Sequence, residues 1–304
     1  MRKRATGTTY DIAVIGNYTK DTIVSAEGTR MVDGGGFNYG AVAAAKTGLR
    51  VAAVTRLAKE DFYVVDELEA AGVDVFPTAT PRSTHMRLEY RTSNVDERVL
   101  SVTQHAGAYT TDQFRDLNAK SFLINASTRG EVPLDVIAYL RKKAPLLAAD
   151  VQAFVRVIAT DGTLVYESWP EREEVLCMMD VLKADSKEAE LLTGESGLEA
   201  QARRIADLGP KEVVLTHREG VLVYEGGRSH RERFHLKRLV GRSGRGDTCI
   251  GSYLARRLSA SPAEATVWAA ALTSLKMEAE GPFAGQASDV EELIARAYGQ
   301  RDRQ

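Results

Sequence analysis

Short apolar runs alternate with helix-patterned segments along most of this 304-residue chain, and few architectures accept that order. Residues 11–15 form an apolar run stopped by Gly16. After the cluster Gly34, Gly35 and Gly36, an alanine-rich segment over 38–46 predicts a helix that Gly48 ends. Residues 51–54 supply the next strand, a helix over about 61–71 closes at Gly72, and 73–76 is again apolar. This βαβαβ rhythm predicts a parallel sheet covered by helices. The alternation resumes at 122–125, 146–150 and 181–185. Residues 213–216 and 221–224 flank a polar turn and predict a hairpin, and the last third is helical over 248–258, 263–280 and 289–298.

Between these blocks the rhythm breaks. Met86, Leu88 and Tyr90 alternate with Arg87, Glu89 and Arg91, and 98–104 is a further extended segment. Period-two alternation means one buried and one wet face, the habit of an antiparallel ribbon and not of a core parallel strand. With the polar stretch 18–32, this insertion predicts a small β lid formed by about 17–33 and 84–105. No internal repeat or linker divides the chain, so a single domain over 1–304 is expected.

The bulk properties exclude several partners. A formal net charge of -2 gives no reason to expect nucleic acid or an anionic membrane. No stretch approaches the roughly 20 apolar residues of a membrane span, and residues 1–10 lack the apolar core of a signal peptide. The only cysteines, Cys177 and Cys249, argue for a reducing compartment, so a cytoplasmic location is expected. The five histidines show no metal-ligand spacing.

The chemistry concentrates in 241–255, where Gly241, Gly244 and Gly246 precede a helix patterned by Ile250, Tyr253, Leu254 and Leu258. Glycines let a backbone turn sharply and approach a ligand closely. A glycine-rich turn feeding a helix N-terminus offers free N–H groups and a positive dipole end, a site for an anion such as phosphate. Asp247 stands in that turn. It would repel phosphate unless it serves the reaction, and phosphoryl transfer requires a base for the attacking hydroxyl. Taken alone, Asp247 reads equally well as a helix N-cap. No G-x-x-x-x-G-K-[ST] loop occurs, and neither glycine cluster completes G-x-G-x-x-G, so a Walker A loop and a dinucleotide fingerprint are absent.

Several collinear segments resemble the PfkB/ribokinase family of carbohydrate kinases. Gly244, Arg245, Gly246 and Asp247 stand where that family has G-A-G-D, an anion hole of backbone amides followed by the catalytic base. Asp185 and Glu188 resemble its N-x-x-E motif, which organises Mg²⁺ through water. The segment 216–220, with Thr216, Arg218 and Gly220, resembles the donor loop. Asp150 and Gln152 with Arg156 resemble a strand end near the phosphate path. Gly35 and Asn38 fall in the N-terminal signature, and Asn17 and Asp21 in the region that holds substrate hydroxyls. The resemblance implies a ribokinase-like three-layer α/β/α sandwich with a small β-sheet lid. It also implies an enzyme that moves a phosphoryl group from ATP or pyrophosphate to a polyol or sugar hydroxyl.

The departures are informative. Arg245 replaces the alanine of the anion hole, Asp185 replaces an asparagine, His217 and Arg218 stand where glycine is usual, and Tyr39 holds a place expected for asparagine. These changes resemble a branch of inositol kinases that includes pyrophosphate-dependent members. A donor without a base must be held by charge, and Arg245, Arg218 and Lys276 are the cations expected to supply it. Myo-inositol is the preferred acceptor on this resemblance. Ribose, other sugars and nucleosides are alternatives, as is a non-catalytic sugar-binding protein on the same fold. The lid's strand edges make a homodimer through the lid an expectation.

Overall fold

The computed structural model describes residues 8–92 and 98–299. Most of the basic start, and part of the expected lid segment at 93–97, lie outside the described residues.

The chain runs from β1 (Thr9–Ile15) into a hairpin of β2 (Thr19–Ser25) and β3 (Gly28–Gly34), then α1 (Gly36–Ala45) and β4 (Val51–Ala58). Next come α2 (Tyr63–Ala70), β5 (Val73–Thr80), a second hairpin of β6 (Thr84–Glu89) and β7 (Val99–Gln104), and β8 (Asn118–Ile124). The middle holds α3 (Leu134–Lys143), β9 (Leu146–Asp150), α4 (Gln152–Val155), β10 (Arg156–Ile158), β11 (Leu164–Tyr166), α5 (Arg172–Leu176) and β12 (Val181–Asp185). The remainder is α6 (Ser186–Thr193), α7 (Leu198–Ala206), β13 (Glu212–Thr216), β14 (Gly220–Glu225), β15 (Arg228–Arg233), α8 (Arg245–Arg257), α9 (Pro262–Met277) and α10 (Ala287–Ala297).

Nine strands form one sheet in the order β15-β14-β13-β12-β9-β8-β1-β4-β5. From β13 to β5 neighbouring strands are parallel, while β14 and β15 add antiparallel. A parallel sheet is buried on both faces, which explains the unbroken apolar runs. In β1, Ile12 and Val14 pack on one face with Phe37, Ala41, Ile250 and Tyr253 from α1 and α8. Ala13 and Ile15 pack on the other with Val136, Leu140, Ala189 and Ile205 from α3, α6 and α7. The sheet and its two helical layers are the sandwich of a ribokinase-like fold.

A separate sheet has the order β3-β2-β6-β7. Ile23, Met86, Leu88 and Val102 form its buried side, as the alternation predicts. One detail differs from an antiparallel ribbon: β2 and β6 pair in parallel. The reason is topological. β1 and β5 run in the same direction in the main sheet, and each feeds its hairpin from the same edge. The first strands of the two hairpins therefore leave side by side.

Candidate active site

The carboxyl ends of the parallel strands, the start of α8 and the small sheet face one another, and two adjoining cavities lie between them. α8 begins at Arg245, earlier than the apolar pattern suggests, because Gly244 takes a left-handed conformation (φ 74°). A side chain there would run into the Tyr39 ring. The Arg245 N–H donates to the Arg242 carbonyl at 3.3 Å, while the Gly246 and Asp247 amides of the first turn of α8 have no acceptor within the helix and stand as its donors.

The first cavity is lined by Asp247 with Asp21, Gly35, Gln152 and Arg156. Asp247 Oδ1 accepts a hydrogen bond from Gln152 Nε2 at 3.0 Å, which fixes the carboxylate and leaves its other oxygen for a reacting group. Opposite, Asp21 Oδ1 is buried without a hydrogen-bond partner. Burial lifts the Asp21 carboxyl to about 6; the Asp247 charge adds to the rise, and Thr19 and Arg98 oppose it. Met86, Leu88 and Leu100 from the small sheet give this cavity an apolar side.

The second cavity, of about 490 Å³, is lined by Arg98, Arg156, Lys187, Arg218, Arg242 and Arg245 against the single carboxylate of Asp185. Arg98 and Arg156 line both cavities. Behind the anion loop lies a buried chain of alternating charge. Lys183 pairs with Asp150 at 2.9 Å and with Glu188 at 3.8 Å, and Glu188 pairs with Arg156 at 3.0 Å. Burial penalises the Lys183 ammonium, but Asp150 and Glu188 more than offset it and hold its pKa above the usual value. A Cβ at Gly246 would meet the Lys183 ammonium, so glycine is required where the loop crosses this charge.

Of the residues singled out in the sequence, the structure brings Asp247, Gly244, Asp21, Gly35 and Arg156 to the first cavity and Arg245, Arg218 and Asp185 to the second. Thr216 and Gly220 line neither. Thr216 is buried at the end of β13 beside Asp185, and Gly220 opens β14 where a side chain would strike the Glu232 backbone. Asn17 is turned away, with its amide donating to the Gly107 carbonyl and its backbone N–H to Glu131. Asn38 faces a different groove, beside Asp33 and Glu280. Lys276 is also displaced: it is 2% exposed, and its Nζ is bound to the Gly241 and Ser243 carbonyls instead of facing the second cavity.

Sequence reasoning assigns no role to Lys183, Arg98 or Lys187. Lys183 carries a legible signal, since a cation inside the apolar run of β12 must be buried against carboxylates. Arg98 carries none, because an arginine beside an exposed ribbon looks like any solvated cation.

The donor set constrains any metal. Among the described residues no cluster of three or more His, Cys, Asp or Glu could hold an ion. Both Glu188 oxygens are engaged, one by Arg156 and one by the Asp185 N–H. Asp185 spends Oδ1 capping α6 and also lines the second cavity. These residues fit a hydrated ion arriving with a phosphate, and they do not form a closed protein site.

A family model described as pfkB family carbohydrate kinase matches residues 5–286. A pyrophosphate-dependent kinase in the ribokinase family, solved with a pyrophosphate analog and myo-inositol, is 34% identical with a TM-score of 0.85, covering 92% of this chain and 99% of that one. A cytidine kinase of Thermococcus kodakarensis is 28% identical over 84% of this chain and 92% of its own length. An Arabidopsis thaliana ribokinase complexed with ribose and ATP, 19% identical, shares the fold at a TM-score of 0.73, covering 94% of this chain and 99% of that one.

Proposed function

Because the chain belongs to the pfkB family of carbohydrate kinases, we propose that it transfers a phosphoryl group from pyrophosphate to a hydroxyl of a small cyclic polyol, myo-inositol being preferred. One observation carries the donor: five arginines and a lysine line the second cavity against one carboxylate. Such a lining matches the charge of a small polyanion, and guanidinium forks suit phosphate oxygens. A similar solved kinase is described as pyrophosphate-dependent and was complexed with myo-inositol.

In this reading the acceptor lies in the first cavity with a hydroxyl on Asp21 and its carbon face against Met86, Leu88 and Leu100. Asp247 takes the proton of the attacking hydroxyl as the new O–P bond forms. The bridging P–O bond breaks, and orthophosphate leaves into the second cavity. Gly244, Arg245 and Gly246 present the anion hole. Asp185 would hold, through water, a Mg²⁺ that accompanies the donor, and the ion would neutralise part of the donor's charge; Glu188 acts one step behind by fixing Asp185 and Arg156. The small sheet acts as a lid that keeps water, a competing acceptor, from the phosphoryl group. Its outer strands β3 and β7 are the edges through which a homodimer would form.

The second reading keeps the enzyme class, takes ATP as donor, and takes a nucleoside as acceptor, the acceptor being what the cytidine kinase relative suggests. Turnover of pyrophosphate, ATP and GTP with Mg²⁺ over a panel of inositols, ribose, fructose and cytidine separates the two. Activity with ATP and none with pyrophosphate overturns the donor assignment. Phosphorylation of cytidine but not myo-inositol overturns the acceptor.

A further inference from the structure

Lys276 lies in the last turn of α9 and lines neither reaction cavity. Its Nζ donates to the Gly241 carbonyl at 2.8 Å and to the Ser243 carbonyl. From the same helix end, the Met277 carbonyl accepts the backbone N–H groups of Val240 at 2.9 Å and Gly241 at 3.0 Å. The segment entering the anion loop is thus docked on the end of α9 by both its donors and its acceptors. The ammonium also stands 5.0 Å from the centre of the Tyr39 ring, the ring that abuts Gly244.

We propose that Lys276 is a positioning residue that aims the anion loop at the transferred phosphoryl group. The argument is peptide geometry. In a trans peptide the C=O and the following N–H point in opposite directions. The Ser243 carbonyl and the Gly244 N–H belong to one such plane. Drawing the oxygen toward α9 turns that N–H away from α9, to the side of the Gly246 and Asp247 amides that begin α8. A left-handed glycine is free to rotate, and among the described residues Lys276 is the side chain whose hydrogen bond holds the Ser243 carbonyl of this plane. The inference rests on the phosphoryl-transfer reading and adds a residue to it.

A buried cation is an expensive brace. Burial lowers the Lys276 pKa to about 8, with the Glu280 and Asp247 charges opposing. The groups facing it are Glu280 beyond the helix end, Asp247 on α8 and Tyr39 on α1, whose phenol burial raises above its usual value and so keeps neutral. Lys276 therefore loses its proton as pH rises through about 8, and the hold on both carbonyls weakens there.

The test compares wild type with Lys276→Met and Lys276→Arg. Loss of a fixed anion-hole donor costs about 10²–10³ in kcat, so loss of its brace predicts a fall of about 10- to 100-fold in Lys276→Met. The donor KM should rise, the acceptor KM and the melting temperature should change little, and ammonium chloride should restore part of the rate. Wild type should show an alkaline limb near pH 8, Lys276→Met should lack it, and Lys276→Arg should move it upward. Amide exchange at 241–246 should quicken in Lys276→Met whether or not any donor turns over, which separates failure of the brace from failure of the assigned activity. Unchanged kcat and exchange in Lys276→Met, or an unchanged alkaline limb, overturns the proposal. So does an equal rise in both KM values together with a large drop in melting temperature.

Discussion

Replacing Asp21 by asparagine should make the protein more stable and a worse catalyst, and the size of the gain is set by pH. Burial moves the Asp21 carboxyl from 3.8 to about 6. A shift of ~2 units corresponds to ~3 kcal/mol of penalty on the ionised form in the folded state. The sign follows from proton linkage. Below about pH 4 both states are protonated and the penalty is absent. Between the two pKa values the folded chain keeps a proton that the unfolded chain releases, so stability falls as pH rises. Above about pH 6 both states are ionised and the whole penalty is present. Asparagine has nearly the same shape, no charge, and Thr19 beside it as a hydrogen-bond partner.

Urea unfolding of wild type and Asp21→Asn near pH 7.5 should therefore differ by about 1–3 kcal/mol in favour of the variant, the lower figure allowing for relaxation around a new buried amide. Near pH 4 the difference should shrink below about 1 kcal/mol. In the same protein the acceptor kcat/KM should fall about 10- to 100-fold, since a hydrogen bond to a charged group contributes about 1.5–3 kcal/mol. A variant less stable than wild type near pH 7.5, or a gain that does not depend on pH, refutes the account of its burial. Unchanged acceptor kinetics refutes its role toward the hydroxyl.

Three further outcomes follow from the same geometry. Asp247→Asn should keep its fold and lose at least about 10²-fold in kcat, the lower bound for a general base; circular dichroism and a rate assay check it. Gly36→Ala places a Cβ within 2.7 Å of Asp247 Oδ1, and closer still to the Asn125 carbonyl, so kcat should drop at least about tenfold while donor binding by calorimetry persists. Arg98→Leu, removing the cation just before β7 that lines both cavities, should raise both KM values and weaken the salt dependence of donor binding.

Where burial is two-sided, the sequence discloses the fold. β1, β4, β8, β9 and β12 are apolar runs because both faces are covered, and glycine or a polar residue marks each end. β15 escapes notice because it is the outer strand and reads Arg228 to Arg233 with no apolar alternation. The parallel union of β2 and β6 is equally silent, since a hairpin's residues do not state which foreign strand lies beside it. The site divides the same way. Asp247 and its glycines are legible because loop chemistry is local. Lys276 is not, because α9 is buried nearly all round and only packing decides which carbonyls its ammonium meets. Asn17 and Asn38 show the converse: both sit beside site residues in sequence, and the backbone turns their side chains elsewhere.

The distribution of unpaid charge is a stronger guide to this site than the amount of charge. Asp150, Lys183 and Glu188 are buried and Arg156 is half-buried, yet each touches a group of opposite sign, so these charges are balanced in pairs without a ligand, with only Arg156 Nε left without a hydrogen-bond partner among their charged nitrogens. Asp21 and Lys276 break that pattern. The first is a buried carboxylate with an oxygen unpartnered, and the second is a buried ammonium answered by carbonyls instead of a carboxylate. Both have pKa values shifted against their charged forms, and both feel the charge of Asp247. A fold selected for stability alone would replace both with neutral residues of like size. Their retention is physically coherent if each meets its missing partner during the reaction: a hydroxyl for Asp21 and, through the loop that Lys276 holds, a phosphoryl group.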